Sequence, residues 1–244
     1  MNRISALFAQ ATEPVLNVYT TAGFPRFEDT MTVLNALQAG GVDIIEVGMP
    51  YSDPVADGET IQLSNQAALE QGMSVAHLFE QLKDMRQTIS VPVLLMGYIN
   101  PVLQYGVEAF CAKCAEVGVD GLILPDLPML EYEASYKAIF EKYGLYNILL
   151  ITPQTNDERI RHIDSVSKGF IYMVSSASTT GAKTGISNDQ EVYFEDLVEP
   201  ELDMYPMLTN RCAVRIEPNK LFIDWLKYIN EDDVYLKHES LPAT

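Results

Sequence analysis

A glutamate inside an aliphatic run, and an aspartate in the proline-bounded loop after it, are the residues of this chain best suited to move protons. In Val42-Asp43-Ile44-Ile45-Glu46-Val47-Gly48, the carboxylate of Glu46 falls just before the end of a segment that reads as a strand. Alternation puts it on the face shared with Val42 and Ile44. A carboxyl among aliphatic side chains is expected to hold its proton to higher pH than usual, because burial disfavours the charged form. Such a group can donate a proton near neutrality. The plainer alternative is a glutamate at the strand's exit that simply reaches solvent.

The loop Pro50-Tyr51-Ser52-Asp53-Pro54-Val55-Ala56-Asp57-Gly58-Glu59-Thr60-Ile61-Gln62 follows directly. Its prolines and glycine restrict the backbone. A second acid here would meet Glu46 across a substrate, and two carboxylates in unlike surroundings can take different roles. Read alone, Asp53 and Asp57 also fit as turn residues or helix caps.

These acids need a frame, and the periodicity supplies one. From Val15 to Ala177, short apolar runs alternate with stretches of helical period, the pattern of repeated βα units. Strands are predicted at Val15 to Thr21, Val42 to Gly48, Val91 to Met96, Gly121 to Leu124, Asn147 to Thr152 and Phe170 to Ser175. Near-continuous apolar composition marks them as covered on both faces. Helices are predicted at Arg3 to Gln10, Phe27 to Ala39, Ser74 to Gln87, Val107 to Val117, Leu130 to Lys142 and Asp157 to Val166. Ser74 and Asn156 read as N-caps, and Gly118, Gly144 and Gly169 as helix closures. Ala76, Leu78, Phe79 and Leu82 form the expected buried stripe of one helix. Six units fit a parallel barrel with two to come, or a doubly wound open sheet.

Composition narrows the function. The 244 residues suit one large domain, and 48% apolar residues can fill its core. With 34 acidic against 16 basic residues, the net charge is −18, a field that repels nucleic acid and anionic membranes. A phosphorylated ligand would need local amide donors to overcome it. No apolar run is long enough to span a membrane, and residues 1–11 lack a secretory signal, so a cytoplasmic protein is expected. Cys111 and Cys114 form a C-x-x-C pair that admits metal or redox chemistry; one helical turn of small packed hydrophobes is the preferred reading. His77, His162 and His238 read as surface residues.

Glu46-Val47-Gly48 together with Ser52-Asp53-Pro54-Val55-Ala56-Asp57-Gly58 resembles the signature of tryptophan synthase alpha subunits. Tyr19-Thr20-Thr21-Ala22-Gly23, Met96-Gly97-Tyr98-Ile99-Asn100-Pro101, Pro125-Asp126-Leu127-Pro128 and Tyr172 with Thr180-Gly181-Ala182 occur in that family's order. The resemblance runs to about Ser187 and implies a (β/α)8 TIM barrel. It implies the alpha subunit of a carbon-oxygen lyase of tryptophan biosynthesis, whose own step is the retro-aldol cleavage of indole-3-glycerol phosphate to indole and glyceraldehyde 3-phosphate. By the same resemblance, Glu46 transfers protons, and Asp57 accepts from the indole N–H, oriented by Tyr172. Tyr19, Tyr98, Tyr172, Thr180 and Gly181 would contact substrate, with Thr180-Gly181 giving amides to its phosphate within a mobile loop from Ser178 to Gly185. Pro50 and Asp53 would face a beta subunit in an α2β2 assembly. Pyridoxal phosphate belongs to that partner, and this chain needs no cofactor.

After Ser187 the pattern fades. The family's glycine-bearing phosphate segments after the seventh and eighth strands are absent from residues 195–244, so the last two βα units are expected to be replaced or divergent. The expected division is a barrel body at 1–194 and an acidic tail at 195–244. Within the tail, Arg211 to Ile216 suggests a strand and Leu221 to Leu226 a helix, with Trp225 packing. Weak phosphate binding and low turnover are expected to follow. The alternatives are a catalytically weak regulatory subunit for the beta chain, or a related phosphate-handling barrel isomerase.

Overall fold

The computed structural model describes residues 1–12, 14–54 and 57–174, with the backbone of 213–216. Strands β1 (Val15–Thr21), β2 (Ile44–Gly48), β3 (Val93–Met96) and β4 (Gly121–Ile123) pair in parallel, each with its sequence neighbour. The fifth predicted strand is interrupted at Ile148. Its first half, β5 (Tyr146–Asn147), pairs with β4, and its second half, β6 (Leu149–Ile151), pairs with β7 (Ile171–Met173). Ile148 N–H itself bonds Leu122 O at 2.9 Å, so one segment joins the two pieces of sheet.

On the other edge, β8 (Ala213–Ile216) pairs in parallel with β1, where a strand was expected between Arg211 and Ile216. The six-stranded sheet therefore runs β5-β4-β3-β2-β1-β8. A doubly wound sheet would reverse its strand order at a switch point. This order is sequential through β1 to β5, as in a barrel. The helix expected at Leu221 to Leu226, Trp225 and His238 lie outside the described residues.

Two layers of side chains follow from strand alternation. One face carries Val15, Ile44, Leu94, Ile123, Ile148 and Phe170, with Met96, Leu150 and Tyr172 against them. The opposite face carries Val18, Ile45, Val47, Val93, Leu95 and Leu122, which pack on the helices. Val42, expected beside Glu46, precedes the strand and joins this outer layer.

The first helix, α1 (Arg3–Gln10), starts at Asn2, whose side chain accepts from Ile4 N–H at 2.9 Å. It turns Ile4, Leu7 and Phe8 onto the inner layer at the amino ends of the strands, with Phe8 5.8 Å from Phe170 between ring centroids. Complete burial of Ile4 is worth about 1.5–3 kcal/mol. That end of the sheet is thereby covered.

The helices packed outside the sheet are α2 (Thr30–Ala39), α3 (Glu59–Glu70), α4 (Val75–Leu82), α5 (Ile99–Tyr105), α6 (Val107–Val117), α7 (Met129–Glu131), α8 (Lys137–Lys142) and α9 (Asp157–Val166). Ser74 and Asn156 cap α4 and α9 through their side chains, as predicted. Gly118 closes α6 with φ +86°, a left-handed conformation for which glycine has no steric penalty. The predicted 130–142 helix is split by a π segment at Tyr132–Tyr136. In α4, Ala76 is exposed and Val75 takes its place beside Leu78, Phe79 and Leu82. Helices α3 and α5 lie outside the helices predicted from periodicity.

Cys111 and Cys114 lie buried in the outer layer. Burial pushes the Cys111 thiol up to about 12, with Glu108 adding to the effect, and raises Cys114 well above its usual range. Both pack in the apolar outer layer, where burial works against the free thiolate. His77 and His162 are exposed on their helices, as expected. Among the described residues no helix is long and apolar enough to cross a membrane.

Candidate active site

Glu46 stands two residues before the end of β2, on the inner face, and is 0% exposed. Its register partners are Tyr19 on β1 and Leu94 on β3. The diagonal neighbour on β1, Asn17, is 1% exposed and donates from Nδ2 to Glu46 Oε1. The solvent-reaching alternative for Glu46 is thus excluded. Its carboxyl lies in a layer of Ile44, Leu94 and Tyr19 with an amide beside it.

Tyr19 is buried and its ring crosses the place where a side chain on Gly48 would stand. A Cβ built on Gly48 would lie 2.0 Å from Tyr19 Oη. The hydroxyl of Thr21 donates to Tyr19 Oη at 3.4 Å and pairs with Ser64 Oγ on α3 at 2.7 Å. Gly48→Ala must therefore drive the tyrosine ring out of place, which is expected to destabilise the protein by about 1–3 kcal/mol. Chemical denaturation compared with the wild type checks it.

The loop after β2 is docked on the segment after β3. Tyr51 and Tyr98 stack with centroids 5.0 Å apart, and Asn100 Nδ2 donates to Tyr51 Oη at 3.2 Å. Tyr98 Oη then reaches Asp57 Oδ2 at 3.5 Å, a long contact. Asp57 is half-buried, and Gly58 after it caps α3. Asp126, from the loop after β4, accepts from Ile99 N–H at 2.9 Å and fixes the start of α5. The carboxyl ends of β2 to β4 are thus knitted together by side chains of their own loops.

Of the residues singled out in the sequence, Glu46 and Tyr19 are register partners in the strands and Asp57 and Tyr98 meet in the loops that follow β2 and β3. Tyr172 joins the inner layer from β7. Pro50 is half-buried and Asp53 exposed at the rim, where Ser52 Oγ donates to Asp53 Oδ2 at 2.6 Å. Thr180, Gly181 and the rest of the Ser178 to Gly185 loop lie outside the described residues. Asn17 and Ser64 were missed. Asn17 carried the same signal as Glu46, a polar side chain inside an apolar strand at the parity of Tyr19 and Thr21.

A parallel α/β barrel with a buried acid at the carboxyl end of an inner strand defines the class of barrel enzymes that act at that end of their strands. The family profile for "Tryptophan synthase alpha chain" matches residues 6–208. The tryptophan synthase alpha chain of Flavobacterium johnsoniae is 58% identical over 195 residues, covering 80% of this chain and 77% of that one. The one from Parabacteroides distasonis is 52% identical over 194 residues, 80% of this chain and 76% of that one. Among solved structures, the Legionella pneumophila alpha chain superposes with a TM-score of 0.72 at 30% identity, covering 88% of this chain and 76% of that one. Mycobacterium tuberculosis tryptophan synthase gives 0.72 at 32% identity, with 81% and 77% covered. The chain belongs to the tryptophan synthase alpha chain family.

Proposed function

We propose that this chain is a lyase cleaving indole-3-glycerol phosphate to indole and glyceraldehyde 3-phosphate, in the cytoplasm, as alpha subunit of an α2β2 assembly. The observation that carries the reading is the Glu46 carboxyl, sealed in the inner layer at the end of β2, with Asp57 at the same end. The carbon bond breaks only when indole C3 gains a proton and the glycerol hydroxyl beside that bond loses one. Glu46 gives its proton to C3. The ring then carries positive charge at its N–H, which the Asp57 carboxylate accepts and stabilises, with Tyr172 and Tyr98 orienting it. As the bond breaks, its electron pair returns to the ring and the hydroxyl becomes the aldehyde. We assign the hydroxyl proton to the carboxylate left on Glu46, which restores the starting state.

Thr180 and Gly181 are assigned to the phosphate and Tyr19 to the indole pocket. Pro50 and Asp53 are assigned to the beta subunit, to which pyridoxal phosphate belongs. Incubating the full-length chain with indole-3-glycerol phosphate should release indole and triose phosphate in equal amounts; no indole, with or without a beta subunit, refutes the reading. Asp57→Asn removes the charge but keeps the shape. Its kcat is expected to fall by about 100-fold, the scale of losing one preorganised electrostatic contact, as read in the same assay.

A further inference from the structure

We propose that Asn17 is a positioning residue for Glu46, whose amide holds the carboxyl through both of its protonation states. The inference rests on the function proposed above only in taking Glu46 to be the proton carrier. Asn17 lies on the adjoining strand in register with Ile44, two residues before Glu46, and is buried with Nδ2 donating to Oε1. Its own Oδ1 has no hydrogen-bond partner among the described residues. A polar side chain facing a barrel interior of Val15, Ile44 and Leu94 must be compensated, because an unsatisfied buried amide is costly.

The chemistry of Glu46 explains the choice of an amide. A carboxylate accepts hydrogen bonds only, whereas a carboxylic acid also donates one. An amide carries both a donor and an acceptor, and half a turn about its terminal torsion exchanges them. With Nδ2 toward Glu46 it holds the ionised group; with Oδ1 toward Glu46 it accepts from the acid. An aliphatic residue here would serve neither state, and an aspartate would place a second carboxyl against the first. Asn17 therefore keeps Glu46 in one place while its proton leaves and returns.

The test uses the full-length chain and variants Asn17→Leu and Asn17→Asp. Infrared titration follows the Glu46 carboxyl band, assigned by its loss in Glu46→Gln, so the readout does not depend on turnover. The bond to the ionised form is charge-assisted and the stronger of the two, so losing the amide in Asn17→Leu should move the band's midpoint to higher pH by roughly one unit. A neighbouring carboxyl should move it further in Asn17→Asp. Where the protein is active, kcat in Asn17→Leu should fall about tenfold with KM within about twofold, since the contact acts on the acid and not on substrate binding. An unchanged midpoint in whichever variants fold overturns the proposal. A midpoint that shifts in the variants, with no indole released by the wild-type chain, refutes the lyase reading and leaves the Asn17 contact standing.

Discussion

Glu46→Gln is expected to lower kcat for indole release by roughly 10²- to 10⁴-fold, the usual worth of a positioned acid or base. Gln keeps the length of the side chain and can still meet the amide of Asn17. It cannot give up or take a proton in the reaction. Because Glu46 is completely buried, bulk water does not take over its proton transfer. The substitution also removes a potential charge from an aliphatic layer, so stability should hold or rise slightly. Loss of turnover in a folded, stable variant separates chemistry from misfolding. A rate within about threefold of wild type would contradict the role.

The second large effect lies at the opposite end of the sheet. Asp120 is 3% exposed and precedes β4. Its carboxylate meets Arg86 at 2.6 Å and Arg3 at 2.9 Å, and accepts from Val93 N–H at 2.9 Å. Its backbone carbonyl accepts from Asn2 Nδ2 at 2.7 Å and from Tyr146 N–H at 3.1 Å. One residue thus ties α1, β3 and β5 to β4. Burial pulls the Arg86 guanidinium below its usual range while Asp120 opposes that pull. Asp120→Ala leaves Arg86 with its charge poorly compensated and Val93 N–H without its acceptor. Breaking a buried pair in this way costs about 3–5 kcal/mol, which for a chain of this size lowers Tm by on the order of 10 °C. Calorimetry measures it. Because Asp120 lies at the covered end, turnover well below the new Tm should stay close to wild type.

The two ends of the barrel were not equally legible in the sequence. Glu46 stood out because a charge inside a run of Ile and Val has few structural uses, and burial at the end of β2 followed. The apolar strands β1 to β4 were visible for the same reason, since both of their faces are covered. Helix α3 was hidden because its buried face is partly polar: Ile61, Ser64, Asn65 and Ala68 point inward, while Leu63 is 59% exposed. A helix that covers a polar site does not show the apolar stripe by which amphipathic helices are recognised. Helix α5 was hidden by Pro101, which the first turn of a helix tolerates. The network around Asp120 joins residues more than a hundred positions apart, and no local pattern announces such a contact. The Cys111 and Cys114 pair shows the reverse case, a motif whose spacing suggests chemistry but whose burial works against it.

The measurement that bears most directly on the account is a crystal structure of the full-length chain with an unreactive analogue, an indole carrying a saturated propyl phosphate at C3. The expected complex has the indole between the two acids, with the Glu46 carboxyl against C3 and Asp57 accepting from the ring N–H. An analogue bound away from Glu46, or carboxyls 46 and 57 turned toward separate regions, would contradict it.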